Sequence, residues 1–569
     1  MTSKAVTVAV AAGACSIGVA VAVAGGLASG AVAPSGQGID AATLARYHHT
    51  DQGTRLIPAA WLAALPTADG STRLMSPQNT AKFGFLPSDA PKALNPYGWP
   101  VGFTVTDAQA SGGVAVAGVT CAACHTGQLE YRGHKIRIEG GQSMADLPAF
   151  DLEVLRALEA VAKDPARKAQ FFKDATAAGY PAERMAADFD RFAMGSAGML
   201  SGQAALSSAL PGPGRVDAVQ GIVDALLRYD IDVPANRRSY DAPVSYPYLW
   251  DIWRLSWLQY NGFLPPQPLS RNIGEVLGVS ARTNFIDAHG ALNPEPQRWR
   301  TSIQFDNLQW MEATLHRLKA PAWPTPVFGP IDATKAQRGR QLFEDHCAGC
   351  HGIQETPAGR WDVPVVPLSV IGTDPKQATN WAGRTYDATK LGLGASVRAP
   401  DAAVIVNAVR NQYYADQNVP PAKREPDVVF GAPCGYKARP LIGVWATPPF
   451  LHNGSVRTVY DLLSDNRPAA FGVGTREYDP VRLGYVDDTG PAAFKFDSTQ
   501  VGNSNAGHWW TDDAARPGRI GPKLSEPDKF ALIEYLKAAD YADYPRRPAG
   551  EARALPCADN PTWAVALAK

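Results

Sequence analysis

The chain has 569 residues, 45% hydrophobic and 19% charged, so it can fill two to four domains with sizeable cores, and wholesale disorder is excluded. Lys+Arg and Asp+Glu both total 54, and zero net charge argues against a nucleic-acid binder, which needs a basic excess. The 52 glycines and 47 prolines require many turns and long connections.

Residues 1–33 carry Lys4 as their only charge, then an Ala/Val/Gly run from Ala5 to about Leu27 and small residues from Ala28 to Ala33. This is the pattern of a secretory signal cleaved near Ala33, with an uncleaved anchor as the alternative. The expected location is periplasmic or secreted, with no stable membrane association after cleavage. Residues 34–120 read as irregular and turn-rich, with turn signals at Asp51-Gln-Gly53-Thr54 and Asn95-Pro96-Tyr-Gly98.

Cys121-Ala-Ala-Cys124-His125 follows, and the same pattern returns as Cys347-Ala-Gly-Cys350-His351. Cys-x-x-Cys-His attaches c-type haem: two thiols add across the porphyrin vinyl groups, and the adjacent His becomes the proximal iron ligand. Seven cysteines and ten histidines do not produce this pentad twice by chance. Zinc would need two further ligands, and a thioredoxin-like site has no need of the His. Two covalently bound haem c groups are therefore expected. With Cys15 removed in the signal, Cys434 and Cys557 remain and would pair in an oxidising compartment.

Between the two motifs, residues 129–140 alternate as a short hairpin around Arg132-Gly133. From 148 to 229 the pattern is helical, with Leu152, Leu155 and Leu158 on one face, an N-cap at Asp164-Pro165, and a helix over Val216–Tyr229. Residues 243–279 are rich in aromatics, which packing in a core explains most simply. A helix over Leu308–Leu318 and a stiff Pro-rich linker at 321–330 follow. Asp332 caps the helix that leads into Cys347, with Gly339 and Phe343 on one face. Its packing partner is the periodic segment Pro527–Lys537. The expected organisation is a signal at 1–33, an N-terminal haem c domain with a helical insertion at 34–320, the linker at 321–330, and a C-terminal haem c domain at 331–569. The expected fold class is mainly α, with two cytochrome c-like domains, long irregular loops and short β-hairpins.

Three further phrases stand beside the haem motifs: Trp250-Asp251 followed by Glu275, Thr447-Pro-Pro-Phe-Leu-His452-Asn-Gly454-Ser455, and Gly502-Asn-Ser-Asn-Ala-Gly507-His508. With them the chain resembles, over most of 40–545, the di-haem cytochrome c peroxidase superfamily, and within it most closely the rubber oxygenase branch. The resemblance implies that the N-terminal haem binds the oxidant while the C-terminal haem relays electrons. It implies that Trp250 lies between the haems and that Glu275 is a distal acid/base. Core packing for Trp250 and a helix-end carboxylate for Glu275 are the plain alternatives.

Related peroxidases place Met as the relay haem's sixth ligand, and the methylamine-dehydrogenase maturation enzyme places Tyr. Here the matching region, Leu441-Ile-Gly-Val-Trp445-Ala446-Thr447, has no ligating residue. Rubber oxygenases use two histidines, which makes His508 and His452 the candidates, His508 ahead. Arg137, Lys437 and Arg439 are candidate propionate partners. Calcium enters by analogy alone, since no loop has a calcium pattern.

Three functions compete. The first is O2-dependent cleavage of an apolar small molecule or polymer such as polyisoprene, with Tyr246, Tyr248, Leu249 and Phe263 as pocket walls. The second is reduction of H2O2 with electrons from a small donor cytochrome. The third is a non-catalytic two-haem electron carrier.

Overall fold

The computed structural model describes residues 32–33, 36–109, 112–192, 211–547 and 555–557. The signal reading of 1–33 lies outside them, apart from the backbone of Val32–Ala33, which pairs in parallel with Lys135 and Ile136. No helix among the described residues is long and apolar enough to cross a membrane.

The fold is mixed rather than mainly α. Short paired strands recur along the whole chain, most of them two-stranded. Frequent glycine and proline cut the chain into segments too short for long helices, and the extended pieces between turns pair locally. Residues 34–120, expected to be irregular, contain helices Ala41–His49, Ala59–Ala64 and Pro77–Lys82. They also contain a three-stranded sheet in which Val116–Val119 is the central strand. The hairpin forms as Thr126–Tyr131 with His134–Glu139, turning at Arg132-Gly133, both at positive φ. Asp164 caps helix Pro165–Ala177 by accepting from the amides of Ala166 and Arg167. The helix expected over Val216–Tyr229 is capped by Asp217, runs as α over Ala218–Asp224 and ends in a π turn at Ala225–Tyr229.

In the C-terminal half, helix Ala333–His346 crosses helix Glu526–Ala538 as the sequence pattern predicts. Gly339 is the contact point: a Cβ there would lie 1.9 Å from the Ala531 carbonyl oxygen. Phe343 packs on Tyr535, ring centroids 5.0 Å apart. Cys434 and Cys557 form a disulfide, and amide bonds from Cys434 to Leu555 and from Cys557 to Ala432 tie the tail to this strand.

One hydrophobic core runs through both halves, from Tyr47 through Trp250 to Tyr544. The Pro-rich segment contributes to it: Thr325–Phe328 is a helical turn, and Phe328 packs on Trp445 and Tyr478. Hairpin residue Glu130 donates its amide to the Arg476 carbonyl, another seam between the N- and C-terminal halves.

Candidate functional site: two Cys-x-x-Cys-His centres and the bridge between them

The first motif begins where the strand Val116–Val119 ends. Thr120 caps the turn Cys121–Cys124 with its side chain, and its amide donates to the Gly102 carbonyl. Gly102, at φ +88°, lets the neighbouring strand approach: a Cβ there would sit 2.2 Å from the Ala123 amide nitrogen. The turn therefore rests on a sheet edge, with His125 projecting into the interior. Burial pushes His125 down to about 4, so the imidazole is neutral, as a metal ligand must be. Its Nδ1 is buried and makes no hydrogen bond among the described residues.

Gln52 and Glu275 flank Cys121. Gln52 accepts from the Cys121 amide at 3.3 Å and from its thiol at 3.2 Å. Glu275, on helix Pro268–Gly278, accepts from Gln52 at 3.4 Å and lies 3.9 Å from the Cys121 sulfur. Burial raises its carboxyl from the ordinary 4.5 to about 7. Glu275 is thus placed beside the first motif's thiol, with a proton it can exchange near neutral pH. Nothing in the sequence pointed to Gln52.

The second motif ends helix Ala333–His346. His351 donates from Nδ1 to the Arg439 carbonyl at 2.8 Å, leaving Nε2 for a ligand. His508 faces it, with ring centroids 6.4 Å apart and planes at 58°. Two imidazoles on opposite sides of one metal stand about 6 Å apart, from two metal–nitrogen bonds of about 2 Å and two ring radii. The His508 loop is built for this approach. At Gly507 (φ +77°) a Cβ would meet the Gly372 carbonyl carbon at 2.3 Å, and the His508 amide donates to the Ile371 carbonyl. Arg467 clamps the loop through the carbonyls of Asn505, Gly507 and His508, at 2.7 to 2.9 Å. Nothing in the sequence pointed to this role for Arg467.

His351, His508, His452, Cys347 and Cys350 line one cavity of about 280 Å³, whose remaining wall is mainly apolar. His452 stacks on Tyr436, ring centroids 3.9 Å apart. Burial pushes His452 and His508 down to about 3, so both are neutral. Lys437 and Arg439 also line the cavity, and burial lowers Lys437 well below its ordinary value. An apolar slot with two thiols, facing neutral imidazoles and cations at its wall fits a covalently held haem with its propionates. Around His125 the thiols and the neutral imidazole fit the same group. Among the described residues no group of three His, Cys, Asp or Glu side chains gathers to hold a metal ion.

Trp250 is fully buried. It donates to the Ile442 carbonyl at 2.9 Å and stacks on Tyr248 at 4.4 Å. Asp251 bonds Tyr541 and Arg254. Of the residues expected to wall an N-terminal pocket, Tyr246 is in ring contact with His125 at 6.2 Å and also lines the second motif's cavity together with Tyr248. Leu249 donates its amide to the Gly140 carbonyl, and Phe263 stacks on Trp381. Of the other histidines, His48 pairs with Glu139 and His49 bonds Phe103 and Ser88.

Residues 435–472, which carry Lys437, Arg439, His452 and Arg467, match the family model described as RoxA-like, cytochrome c-like. Residues 336–422, which carry the second haem motif, match the cytochrome c model. The chain is 35% identical over 548 residues to the uncharacterized protein y4iJ of Sinorhizobium fredii, covering 86% of this chain and 90% of that one. It is 31% identical over 226 residues to the uncharacterized protein y4iM of the same organism, covering 36% and 49%. By its kinship with y4iJ over most of both chains, the RoxA-like segment at 435–472 and the cytochrome c match around its second Cys-x-x-Cys-His motif, the chain belongs to the RoxA-like cytochrome c family and is a haem c redox protein.

Proposed function

We propose that the protein is an extracytoplasmic di-haem c oxidoreductase in which the His125 centre meets the oxidant and the His351 centre relays electrons. The observation that carries this reading is the asymmetry of the two proximal histidines. His351 has an imidazole facing it at 6.4 Å, whereas the ring in contact with His125 is that of Tyr246, at 6.2 Å. Bound haem c supplies an iron that exchanges single electrons and, where one axial position is open, takes up a small oxidant. His508 would hold the second position at the His351 centre and keep substrates from it. Trp250 spans the interval between the centres, and Glu275 holds an exchangeable proton at the first. A plain electron carrier would close both positions and would not need Glu275.

The RoxA-like match favours O2 as the oxidant and an apolar substrate, in line with the resemblance to rubber oxygenases. The test is oxygen uptake by fully haem-loaded protein with emulsified polyisoprene and no peroxide. Uptake with carbonyl products supports cleavage, and its absence rejects that substrate. A second reading, peroxide reduction with electrons from a small donor cytochrome, is favoured by Glu275, whose carboxyl titrates near 7. Its Oε atoms would take a proton from bound peroxide and return it to the leaving oxygen. Peroxide consumption coupled to oxidation of a reduced small cytochrome distinguishes it.

A further inference from the structure

We propose that Tyr541 is a redox-active surface tyrosine with Asp251 as its proton acceptor. Through it, small phenolic donors pass single electrons to the buried centres without entering the haem slot. The inference rests on the two-haem reading above, with peroxide as the oxidant.

Tyr541 follows helix Glu526–Ala538 and is 39% exposed. Its hydroxyl donates to Asp251 Oδ2 at 2.7 Å and accepts from the Ala320 amide at 3.0 Å. Asp251, next in the chain after Trp250, is buried and has Arg254 at 3.3 Å. The Trp250 indole reaches the same place: a Cβ on Gly443 would meet Ala320 Cβ at 2.9 Å and Trp250 Cζ2 at 3.2 Å. Trp250 stacks on Tyr248 at 4.4 Å, and Tyr248 lines the cavity of Cys347 and His351. From slot to solvent the order is Tyr248, Trp250, Asp251, Tyr541.

The three rings differ in where their protons can go. The Tyr248 hydroxyl donates to the Pro440 carbonyl at 2.7 Å, and Trp250 Nε1 to the Ile442 carbonyl at 2.9 Å. A peptide carbonyl holds no proton near neutral pH. The Arg439 guanidinium donates to the Tyr248 and Trp250 carbonyls, both at 2.8 Å, so residues 248–250 and 439–442 are zipped together. It also lies over the Tyr248 ring at 3.5 Å, which opposes a positive charge there. Of the three rings, Tyr541 alone is bonded to a carboxylate, a base within hydrogen-bond reach of its proton. Burial raises the Asp251 carboxyl above its ordinary value, which makes its anion a stronger base.

Tyr541 therefore gives one electron inward and its hydroxyl proton to Asp251 Oδ2, and is left as a neutral phenoxyl radical. A phenol at the surface gives one electron to Tyr541 and its own proton to water, while Asp251 returns the held proton to the Tyr541 oxygen. Two such cycles supply two electrons, which with two protons from water reduce one H2O2 to two H2O and leave two phenoxyl radicals of the donor.

The test mixes the haem-loaded full chain with H2O2 and reads freeze-quench EPR. In parallel, 2-methyl-2-nitrosopropane traps the radical, and peptide mass spectrometry locates the adduct. The wild type should give a tyrosyl signal and an adduct at Tyr541. Tyr541→Phe should lose both, together with peroxide-dependent guaiacol oxidation, yet keep two haems by pyridine haemochrome and the wild-type thermal midpoint. Asp251 sits at φ +61°, a conformation Asn also adopts, so Asp251→Asn keeps the backbone and removes the base. It should keep both haems and lose the tyrosyl signal. A signal that survives in Tyr541→Phe, or at full yield in Asp251→Asn, overturns the proposal. So does its absence from a wild-type chain whose haem spectra respond to peroxide, and so does loss of haem in Tyr541→Phe, which would make Tyr541 a latch for the tail. Wild-type haem spectra that do not respond to peroxide instead overturn peroxide as the oxidant, and the proposal with it.

Discussion

At the scale of single residues, the choice between His508 and His452 is a matter of aim. Both are neutral and in the same cavity, but His508 has ring contact with His351, while His452 stacks on Tyr436. His508→Ala should therefore convert the C-terminal ferric haem from low spin to high spin in optical and EPR spectra, and His452→Ala should leave it low spin. The reverse pattern would assign the ligand to His452. Glu275 carries the other residue-scale expectation. Its carboxyl titrates at about 7 rather than 4.5, so the native chain holds this proton longer than the unfolded chain does. Its ionisation therefore withdraws stability as pH rises from 4.5 to about 7. If the ionised carboxylate is the base, kcat/KM with oxidant should rise with pH through about 7 in the wild type. Glu275→Gln should abolish that inflection and slow turnover by roughly 100- to 10,000-fold. An inflection that survives in Glu275→Gln belongs to another group.

At the scale of elements, the crossing of Ala333–His346 over Glu526–Ala538 depends on a missing side chain. Even one methyl at Gly339 meets the Ala531 carbonyl oxygen at 1.9 Å and Tyr535 Cβ at 2.9 Å, and backbone cannot step aside as a flexible side chain can. Gly339→Ala should lower stability by about 1–3 kcal/mol and loosen the C-terminal haem, seen as a drop in thermal midpoint together with broadened His351 haem spectra. A variant as stable as wild type would mean the helices slide apart at little cost. This crossing was legible because helix periodicity, a cap at Asp332 and the spacing of Gly339 and Phe343 are all local signals. So were the hairpin turn at Arg132-Gly133 and the cap at Asp164. The sheet behind the first motif was not legible: Ile57–Pro58 and Phe103–Thr106 pair with Val116–Val119 across long sequence intervals, and strands this short leave no periodic trace. The site divides in the same way. The two candidate haem attachments are contiguous pentads. The roles of Gln52, Arg467 and Arg439 depend on carbonyls and thiols that only folding brings to them.

At the scale of the whole molecule, the two halves are locked by a shared core, by the hairpin seam at Glu130 and by the zipped strips around Trp250, while one covalent link secures the far end. The Cys434–Cys557 disulfide closes 123 residues. That loop contains helix Glu526–Ala538, His452 and His508, and Cys434 directly precedes the strand Gly435–Lys437 that leads to Arg439. Closing a loop of this size removes unfolded-chain entropy worth about 2–4 kcal/mol in typical measurements. The bond also fixes the start of the strand whose continuation receives His351. Both cysteines are fully buried, so mild reductant should leave the native protein intact, and reduction should require partial unfolding. Replacing both with serine should lower the denaturant midpoint by an amount equivalent to about 2–4 kcal/mol. The thioether-bound haems should remain attached through the same denaturation, because their bonds to Cys121, Cys124, Cys347 and Cys350 are independent of the disulfide. If the double-serine variant unfolds at the wild-type denaturant concentration, the hydrogen bonds from Cys434 to Leu555 and from Cys557 to Ala432 hold the tail unaided, and the covalent link contributes nothing to the stability of the C-terminal half.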